Sequence, residues 1–445
     1  MSQPSSAPAF SQALRFWHKL GWVSFGGPAG QIALMHQELV ERRRWISERR
    51  FMHALNYCMV LPGPEAQQLA TYIGWLMHGI PGGILAGALF ILPSLLILIL
   101  LSWLYMAYAQ APLLAGVLYV VKAAVLALIA QAAWRLASRS LKSTALRALA
   151  LFSLTASAAL ALPFPLIVLA AALFGWWGRR WIPAGAAHSQ SKDAATQAAL
   201  IDDHSPTPLH ARHSWRRLSL IVVCALLLWA VPLLLLALNF GPSHPFPGMA
   251  WFFTKAALLT FGGAYAVLPY VYQGVVHEWG WLTPGRMMDG LALGESTPGP
   301  LIMIVAFVGF VAAWEWRMWP GHSPLAAGVF AACLVSWYTF LPSFLFILAG
   351  GPLVERSRND LQLQAPLSAI SAAVVGMIVL LGLQFGAHLL WPQGWQGLAQ
   401  TDWLAAGLTL LAWWALQVRA QSALRVLAGA ALLGMALSAA GWRTV

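Results

Sequence analysis

Charged residues are scarce in this sequence, and their scarcity excludes a soluble globular domain. Asp, Glu, Lys and Arg make up 9% of the 445 residues, whereas soluble domains carry about 25%. Hydrophobic residues make up 60%, and several uncharged runs exceed the ~20 residues that cross a bilayer. These runs are 66–121, 148–178, 218–254, 318–354, 361–401 and 426–442. The composition predicts an all-α polytopic membrane protein.

Cysteines and catalytic motifs are scarce as well. Cys58, Cys224 and Cys333 are isolated in apolar stretches, which indicates neither a disulfide framework nor a metal site. The sequence has no GxSxG motif, no Walker loop and no His/Cys cluster with metal spacing, so we expect no cofactor and no enzyme activity. The alternative from a different class is a membrane-embedded enzyme, which would need a convergent acid/base pair that the sequence does not offer.

The net charge of +12 does not indicate nucleic-acid binding. The basic residues stand in short runs between apolar segments, as the rule that cytoplasmic loops are rich in Lys and Arg predicts. We therefore interpret these basic residues as marking loops on the cytoplasmic side of the lipid bilayer.

Two halves of the chain repeat each other. Phe-Gly-Gly at 25–27 recurs at 261–263 and Pro-Gly-Pro at 62–64 recurs at 298–300, both with a shift of 236. Leu-Pro-Ser at 92–94 recurs at 341–343 with a shift of 249, so one insertion of 249 − 236 = 13 residues aligns the halves. The duplication predicts an N-terminal transporter repeat, a polar flexible linker and a C-terminal transporter repeat. Their expected bounds are 1–182, 183–217 and 218–445.

The basic residues alternate between the two halves. Loop 41–50 has five arginines, but its counterpart 277–286 has one. Segment 135–147 has four basic residues, whereas its counterpart 384–396 has none. Loop 107–111 has no basic residue, whereas its counterpart 356–360 carries Arg356 and Arg358. This pattern predicts an inverted-topology repeat. We expect roughly ten to thirteen membrane segments, including broken or re-entrant helices.

The Pro-Gly-Pro tripeptides interrupt apolar segments in which a helix is otherwise expected. Proline in a helix interior lacks a donor N–H and clashes with the preceding turn. A break of this kind exposes the N-terminus of the following half-helix, and the free N–H groups and positive dipole end suit an anion. The break therefore indicates an anion-binding site.

Loop parity predicts the shape of the first break. Loops 41–50 and 107–111 should lie on opposite sides of the membrane, and segment 83–106 must cross it. Segment 51–78 should then enter and leave on one face, as a re-entrant hairpin with its tip at Pro-Gly-Pro. The alternatives are a kink in a full crossing or a loop tip at the membrane interface.

Four stretches resemble the chromate ion transporter family, and most closely its long, two-domain members. They are Phe25-Gly26-Gly27, LPGPEAQQLATYIGW at 61–75, FGGAYAVLP at 261–269 and STPGP at 296–300. The resemblance implies a multi-pass protein of the bacterial inner membrane that exports chromate, with sulfate as the related oxyanion, and so confers chromate resistance. It also implies two homologous domains in opposite orientation. Sulfate uptake or an anion channel is the closer alternative, and the oligomeric state is left open, a homodimer included.

The candidate transport residues lie at the breaks or bear polar groups within apolar segments. They are Gly26, Gly27, Pro62, Gly63, Pro64, Glu65, Gln67, Gln68, Thr71, Tyr72, Lys122, Gly262, Gly263, Glu295, Pro298, Gly299 and Pro300. The neutral side chains after the first break are candidates for orienting oxyanion oxygens. The paired glycines either expose N–H groups to the anion or allow close helix packing.

Three ionisable residues are candidates for moving charge. Lys122 lies about 13 Å into its apolar segment, near the midplane, where a cation could attract an oxyanion. The alternative is a structural pair with Glu65 or Glu38, or snorkelling to the interface. Glu65 either stabilises a helix N-terminus or couples protons to anion movement, and Glu295 is a parallel candidate. Leu301 replaces Glu65 in the second half. Without a nucleotide site, the membrane potential or a proton gradient would have to drive transport.

Overall fold

The computed structural model describes residues 8–108, 111–178, 199–202, 209–211, 214–261, 263–354, 364–394 and 397–440. Within these ranges the chain forms sixteen α-helices and no β-strand. Five helices are long and apolar enough to cross a membrane, and five shorter apolar helices accompany them. The protein is therefore an all-α polytopic membrane protein, as the composition predicts.

The helices before and after the linker correspond to one another in order. The first half contains α1 (Phe10–Val23), α2 (Gly27–His36), α3 (Glu48–Val60), α4 (Glu65–Tyr108), α5 (Pro112–Ser140), α6 (Thr144–Leu160) and α7 (Phe164–Trp177). After α8 (Trp215–Phe240), the second half contains α9 (Pro245–Leu258), α10 (Ala264–Tyr272), α11 (Pro284–Ser296), α12 (Ile304–Glu315), α13 (Pro324–Val354), α14 (Gln364–Leu390), α15 (Trp403–Gln417) and α16 (Ala423–Ala439). Even a π-helical turn recurs, at Gln37–Arg42 and Gln273–Glu278. The duplication seen in the sequence is thus a duplication of structure.

Helix α8 has no counterpart in the first half. It spans 26 residues, about 39 Å, and little of its surface is buried by the rest of the chain. In the first half, the second arm of α4 and helix α5 are long and apolar enough to cross the bilayer, and the shorter apolar helices α6 and α7 follow them. One crossing by α8 between the halves would place the start of the second repeat on the opposite face when the first half crosses an even number of times, as an inverted repeat requires.

The Pro-Gly-Pro segments form the tips of helical hairpins. The rings of Tyr57 in α3 and Tyr72 in α4 lie 5.8 Å apart across the first hairpin. In the second hairpin, Gly290 of α11 faces the ring of Phe307 in α12. Each arm of the first hairpin has about 13 residues before it turns, or about 20 Å, which is too short for a ~30 Å hydrocarbon core. These are hairpins with buried tips rather than kinked crossings.

A second reversal lies inside α4. His78 and Gly79 leave the helical conformation, and Gly79 has a φ of 66° that favours glycine. The chain then folds back, because Gly87 of the second arm packs against Thr71 of the first. The arms 65–77 and 80–108 are therefore antiparallel, and only the second is long enough to cross the bilayer.

The Phe-Gly-Gly segments also break the chain into hairpins. Phe252 of α9 stacks on Tyr270 of α10 with ring centroids 5.0 Å apart, so these helices run side by side. Gly26, Gly27 and Gly263 have φ values of 92°, 68° and 102° at the breaks. Each half thus has two hairpin tips, one at Phe-Gly-Gly and one at Pro-Gly-Pro.

The described parts of the predicted linker pack on the first half. Ile201 donates its N–H to the Trp45 carbonyl at 3.0 Å, and Ser47 donates to the Ile201 carbonyl at 2.9 Å. His210 lies against Gly79, its ring 5.7 Å from that of Trp75, and burial lowers the pKa of His210. The linker residues 183–198, 203–208 and 212–213 lie outside the described part of the chain, as do Arg356 and Arg358.

Candidate functional site

The four hairpin tips are joined in pairs across the two halves. Gly63 donates its N–H to the Thr260 carbonyl at 2.7 Å, and Gly299 donates to the Ser24 carbonyl at 2.8 Å. The repeat shift of 236 relates both donors and both acceptors. Each Pro-Gly-Pro tip is therefore held by the residue just before the Phe-Gly-Gly segment of the opposite half.

A serine of the opposite half closes each Pro-Gly-Pro tip. Gly299 faces Ser94, where an added Cβ would lie 2.8 Å from the serine Cβ, and Gly63 faces the hydroxyl of Ser343. Both serines are fully buried and end the repeated Leu-Pro-Ser motif. Ser343 Oγ has no hydrogen-bond partner among the described residues. Only glycine fits at these tips, because the space is filled and φ is 127° at Gly63 and 99° at Gly299.

Buried amide side chains surround the tips. Gln31 donates through Nε2 to the Gly299 carbonyl and, at 3.3 Å, to the Ser24 carbonyl. Gln68 donates to the Pro62 carbonyl at 2.7 Å, and Gln67 donates to Thr71 Oγ1 at 2.9 Å. All three glutamines are at most 1% exposed, and their Oε1 atoms have no partner in the described part of the chain. Because buried polar groups are normally satisfied, this uncharged polar shell is suited to a polar guest.

Helix N-termini begin directly after the tips. α2 starts at Gly27, the last residue of its Phe-Gly-Gly segment, and α10 starts directly after its own. α4 starts at Glu65, and a short 3₁₀ turn followed by α12 starts at Leu301. Neither α2 nor α10 has a side-chain cap on its first N–H groups. Their free donors and positive dipole ends favour an anion near the tips.

The paired glycines serve the breaks rather than close helix packing. A Cβ added at Gly27 or Gly263 would meet no atom within 4 Å, and one at Gly26 would meet only Gly30 Cα at 3.9 Å. Their positive φ values explain the residue type at all three positions. Gly262 lies outside the described residues.

Glu65 and Glu295 flank the Pro-Gly-Pro tips in different ways. Glu65 begins α4 and is partly exposed, without a hydrogen bond or ion pair among the described residues. Glu295, near the end of α11, accepts a hydrogen bond from the Tyr265 hydroxyl. Both carboxylates therefore lie beside the tips, but only Glu295 is held by a partner. Tyr72 is buried between Tyr57 and Trp75, where its ring packs.

Lys122 pairs with an acid that sequence reasoning missed. Its Nζ lies 3.1 Å from Asp289 Oδ1, and Tyr105 donates to Asp289 Oδ2 at 2.9 Å. The alternative of a structural pair with Glu65 or Glu38 was right in kind but wrong in partner, since Glu38 instead pairs with Arg42 and Arg43. Asp289 is nine residues before Pro298, about 13 Å along α11, so Lys122 lies away from the tip.

Two signals could have found the missed residues. Asp289 is a lone acid in the apolar stretch 287–294, which marks a functional candidate in a membrane protein. Ser94 and Ser343 end the repeated Leu-Pro-Ser motif, and a polar residue that recurs within apolar segments is a second signal. Gln31 offers no comparable signal, because Val267 replaces it in the second half.

Comparison with known proteins agrees with this architecture. The family model described as chromate transporter matches residues 11–176 and 248–435, which leaves out the linker and all of α8. A chromate transport protein of Pseudomonas aeruginosa is 33% identical over 376 residues, 83% of this chain and 79% of the relative. Chromate transport proteins of Cupriavidus metallidurans (29%; 84% and 82%) and, as a probable one, Synechococcus elongatus (28%; 85% and 86%) are also similar.

No solved structure matches the chain significantly. The family model nevertheless covers both halves, including all four hairpin tips and the Lys122–Asp289 pair. The chain therefore belongs to the chromate transporter family.

Proposed function

We propose that this protein exports chromate from the bacterial cytoplasm across the inner membrane and so confers chromate resistance. The observation that carries the proposal is the reciprocal pair of hydrogen bonds, from Gly63 to Thr260 and from Gly299 to Ser24. These bonds bring four chain breaks together where the two inverted halves meet. In transporters built from inverted repeats, the substrate site lies at this kind of interface.

The chemistry around the tips supports an oxyanion as the substrate. Helix N-termini supply N–H donors and partial positive charge without a fixed cation. Gln31, Gln67 and Gln68 add neutral groups that orient oxygens, since a side-chain amide offers both donors and an acceptor. Neutral donors and partial charges bind a dianion weakly enough to release it, which a transporter requires.

The membrane potential can drive export without another ion. Moving one charge through 100 mV is worth about 2.3 kcal/mol, so a dianion gains about 4.6 kcal/mol when the inside is negative. That free energy supports a gradient of about 2,000-fold, since 1.4 kcal/mol corresponds to a factor of ten. Proton coupling through Glu65 or Glu295 would add to this driving force but is not required.

The test is chromate accumulation by inverted membrane vesicles. We expect wild-type vesicles to accumulate chromate, sulfate to compete, and uptake to fall when the potential is collapsed. Vesicles with Ser94→Ala should lose most uptake, whereas Cys224→Ala, at an exposed position on α8, should not. Failure of well-folded wild-type protein to accumulate chromate would refute the assignment. Accumulation only by right-side-out vesicles would indicate uptake of sulfate-like anions instead.

A further inference from the structure

The Lys122–Asp289 pair joins the two halves at a distance from the hairpin tips. Lys122 belongs to α5 of the first half, and Asp289 belongs to α11, the arm that leads to the second Pro-Gly-Pro tip. Asp289 is buried and also accepts from Tyr105 of α4, whereas the lysine side chain is 25% exposed. The acid is thus fixed, and the ammonium retains access to another partner.

Topology places this pair on the side of the tips opposite the arginine-rich loop 41–50. The start of α11 is the repeat equivalent of the start of α3, which follows that loop. Because the repeats are inverted, α11 enters from the extracytoplasmic face. An oxyanion leaving the tips for the exterior would therefore pass the level of Lys122.

The pair is present on one side only. The repeat equivalents of Asp289 and Lys122 are His53 and Ser371, which cannot form the same ion pair. A buried ion pair contributes little net stability, because desolvation offsets the attraction between the charges. A contribution to stability therefore does not explain why the charged pair occurs here but not at the equivalent positions of the repeat.

A second nitrogen faces the same space as Lys122. A Cβ built at Gly285 would lie 3.3 Å from His388 Nε2 and 3.9 Å from Lys122 Nζ. Glycine at 285 leaves room for these nitrogens, because a Cβ would press against His388, whereas Arg49 occupies the equivalent position of the first half. Ammonium and imidazole donors close to the same backbone position are groups that recognise the oxygens of a tetrahedral anion.

We propose that Lys122 forms an exit site for a tetrahedral dianion, at which Asp289 is the resident anion and the substrate competes with it for the ammonium. The inference rests on the proposed export of an oxyanion. Without substrate, the ion pair closes the route between the halves. A passing dianion carries twice the charge of the carboxylate, draws the ammonium away and leaves Asp289 bonded to Tyr105, after which the pair re-forms.

The experiment measures binding of sulfate to the purified full-length protein by its shift of the melting temperature. Asp289→Asn removes the competing charge, so we expect sulfate to bind at least about threefold more tightly. Lys122→Gln should weaken binding, and the gain from Asp289→Asn should vanish in the double variant. Arg419→Gln is the control, because it removes an exposed cation that stacks on Trp414, outside α5 and α11, and should leave affinity unchanged.

A structural role for the pair gives a different result. Asp289→Asn would then lower the melting temperature without tightening sulfate binding, and that outcome overturns the proposal. Chromate uptake by inverted vesicles separates this inference from the proposed function. Normal wild-type uptake with an unchanged KM in Asp289→Asn refutes the exit site alone. Absence of wild-type uptake refutes export, while the binding cycle still decides whether Lys122 and Asp289 compete with an anion.

Discussion

Replacing Gly63 by alanine should inactivate transport without unfolding the protein. The new Cβ would lie 2.5 Å from Gln68 Nε2 and closer still to Ser343 Oγ, and φ at this position is 127°. A backbone conformation of this kind costs a non-glycine residue about 1–3 kcal/mol, and overpacking a filled site costs about 1–3 kcal/mol more. To relieve this strain, the ends of the Gln68 and Ser343 side chains must turn away from the tip, or the tip must move away from Thr260.

The expected loss of chromate uptake in inverted vesicles is at least about tenfold. A displaced tip that raises the free energy of the transporting conformation by about 1.4 kcal/mol already has that effect. Gly241→Ala is the matched control, since its φ is 90° but no atom lies within 4 Å of the added Cβ. The Gly241→Ala variant should have the same backbone strain but retain wild-type chromate uptake. Adding Ser343→Gly to Gly63→Ala should restore part of the uptake by making room. Equal uptake by well-folded Gly63→Ala and Gly241→Ala protein would refute the reasoning.

Three further predictions concern side chains near the tips and the linker. Gln31→Leu removes a buried donor to two carbonyls, worth about 1–3 kcal/mol, and should reduce uptake about tenfold at normal expression. Glu295→Gln should retain uptake driven by the potential but lose any stimulation by an imposed proton gradient; retained stimulation would exclude Glu295 as the proton carrier. Burial lowers the pKa of His210, so its docking is favoured when the ring is neutral and should weaken as the pH falls below the ordinary value of 6.5. Hydrogen exchange around His210, corrected for intrinsic rates, should accelerate over that range, and His210→Asn should abolish the dependence.

The sequence was sufficient to predict the architecture because its signals are local. Proline and glycine have steric requirements that hold in any environment, so Pro-Gly-Pro and Phe-Gly-Gly mark breaks wherever they occur. The shortage of charge indicates the membrane, and the alternation of basic loops indicates the inverted repeat. The extra crossing by α8 could also have been inferred, because an inverted repeat requires an odd number of crossings before the second half begins.

The contacts between the halves could not be predicted in the same way. Lys122 and Asp289 are separated by 289 − 122 = 167 residues, and several acids were equally plausible partners on sequence grounds. The repeat gave no help, since His53 replaces the acid in the other half. The contact of each tip with the opposite half likewise depends on how the two repeats pack, which is a property of the assembled fold.

The framework around the tips is two-fold, but its charges are not. Three pairs of equivalent residues build the framework: Ser24 with Thr260, Gly63 with Gly299, and Ser94 with Ser343. In contrast, the charged residues have uncharged or different equivalents in the other half. The repeat alignment pairs Glu65 with Leu301, Asp289 with His53 and Lys122 with Ser371. A symmetric framework alone would give inward-open and outward-open states of equal free energy, because inversion of the repeats exchanges one state for the other. Any preference between the two states must therefore come from the charges that occur in one half only.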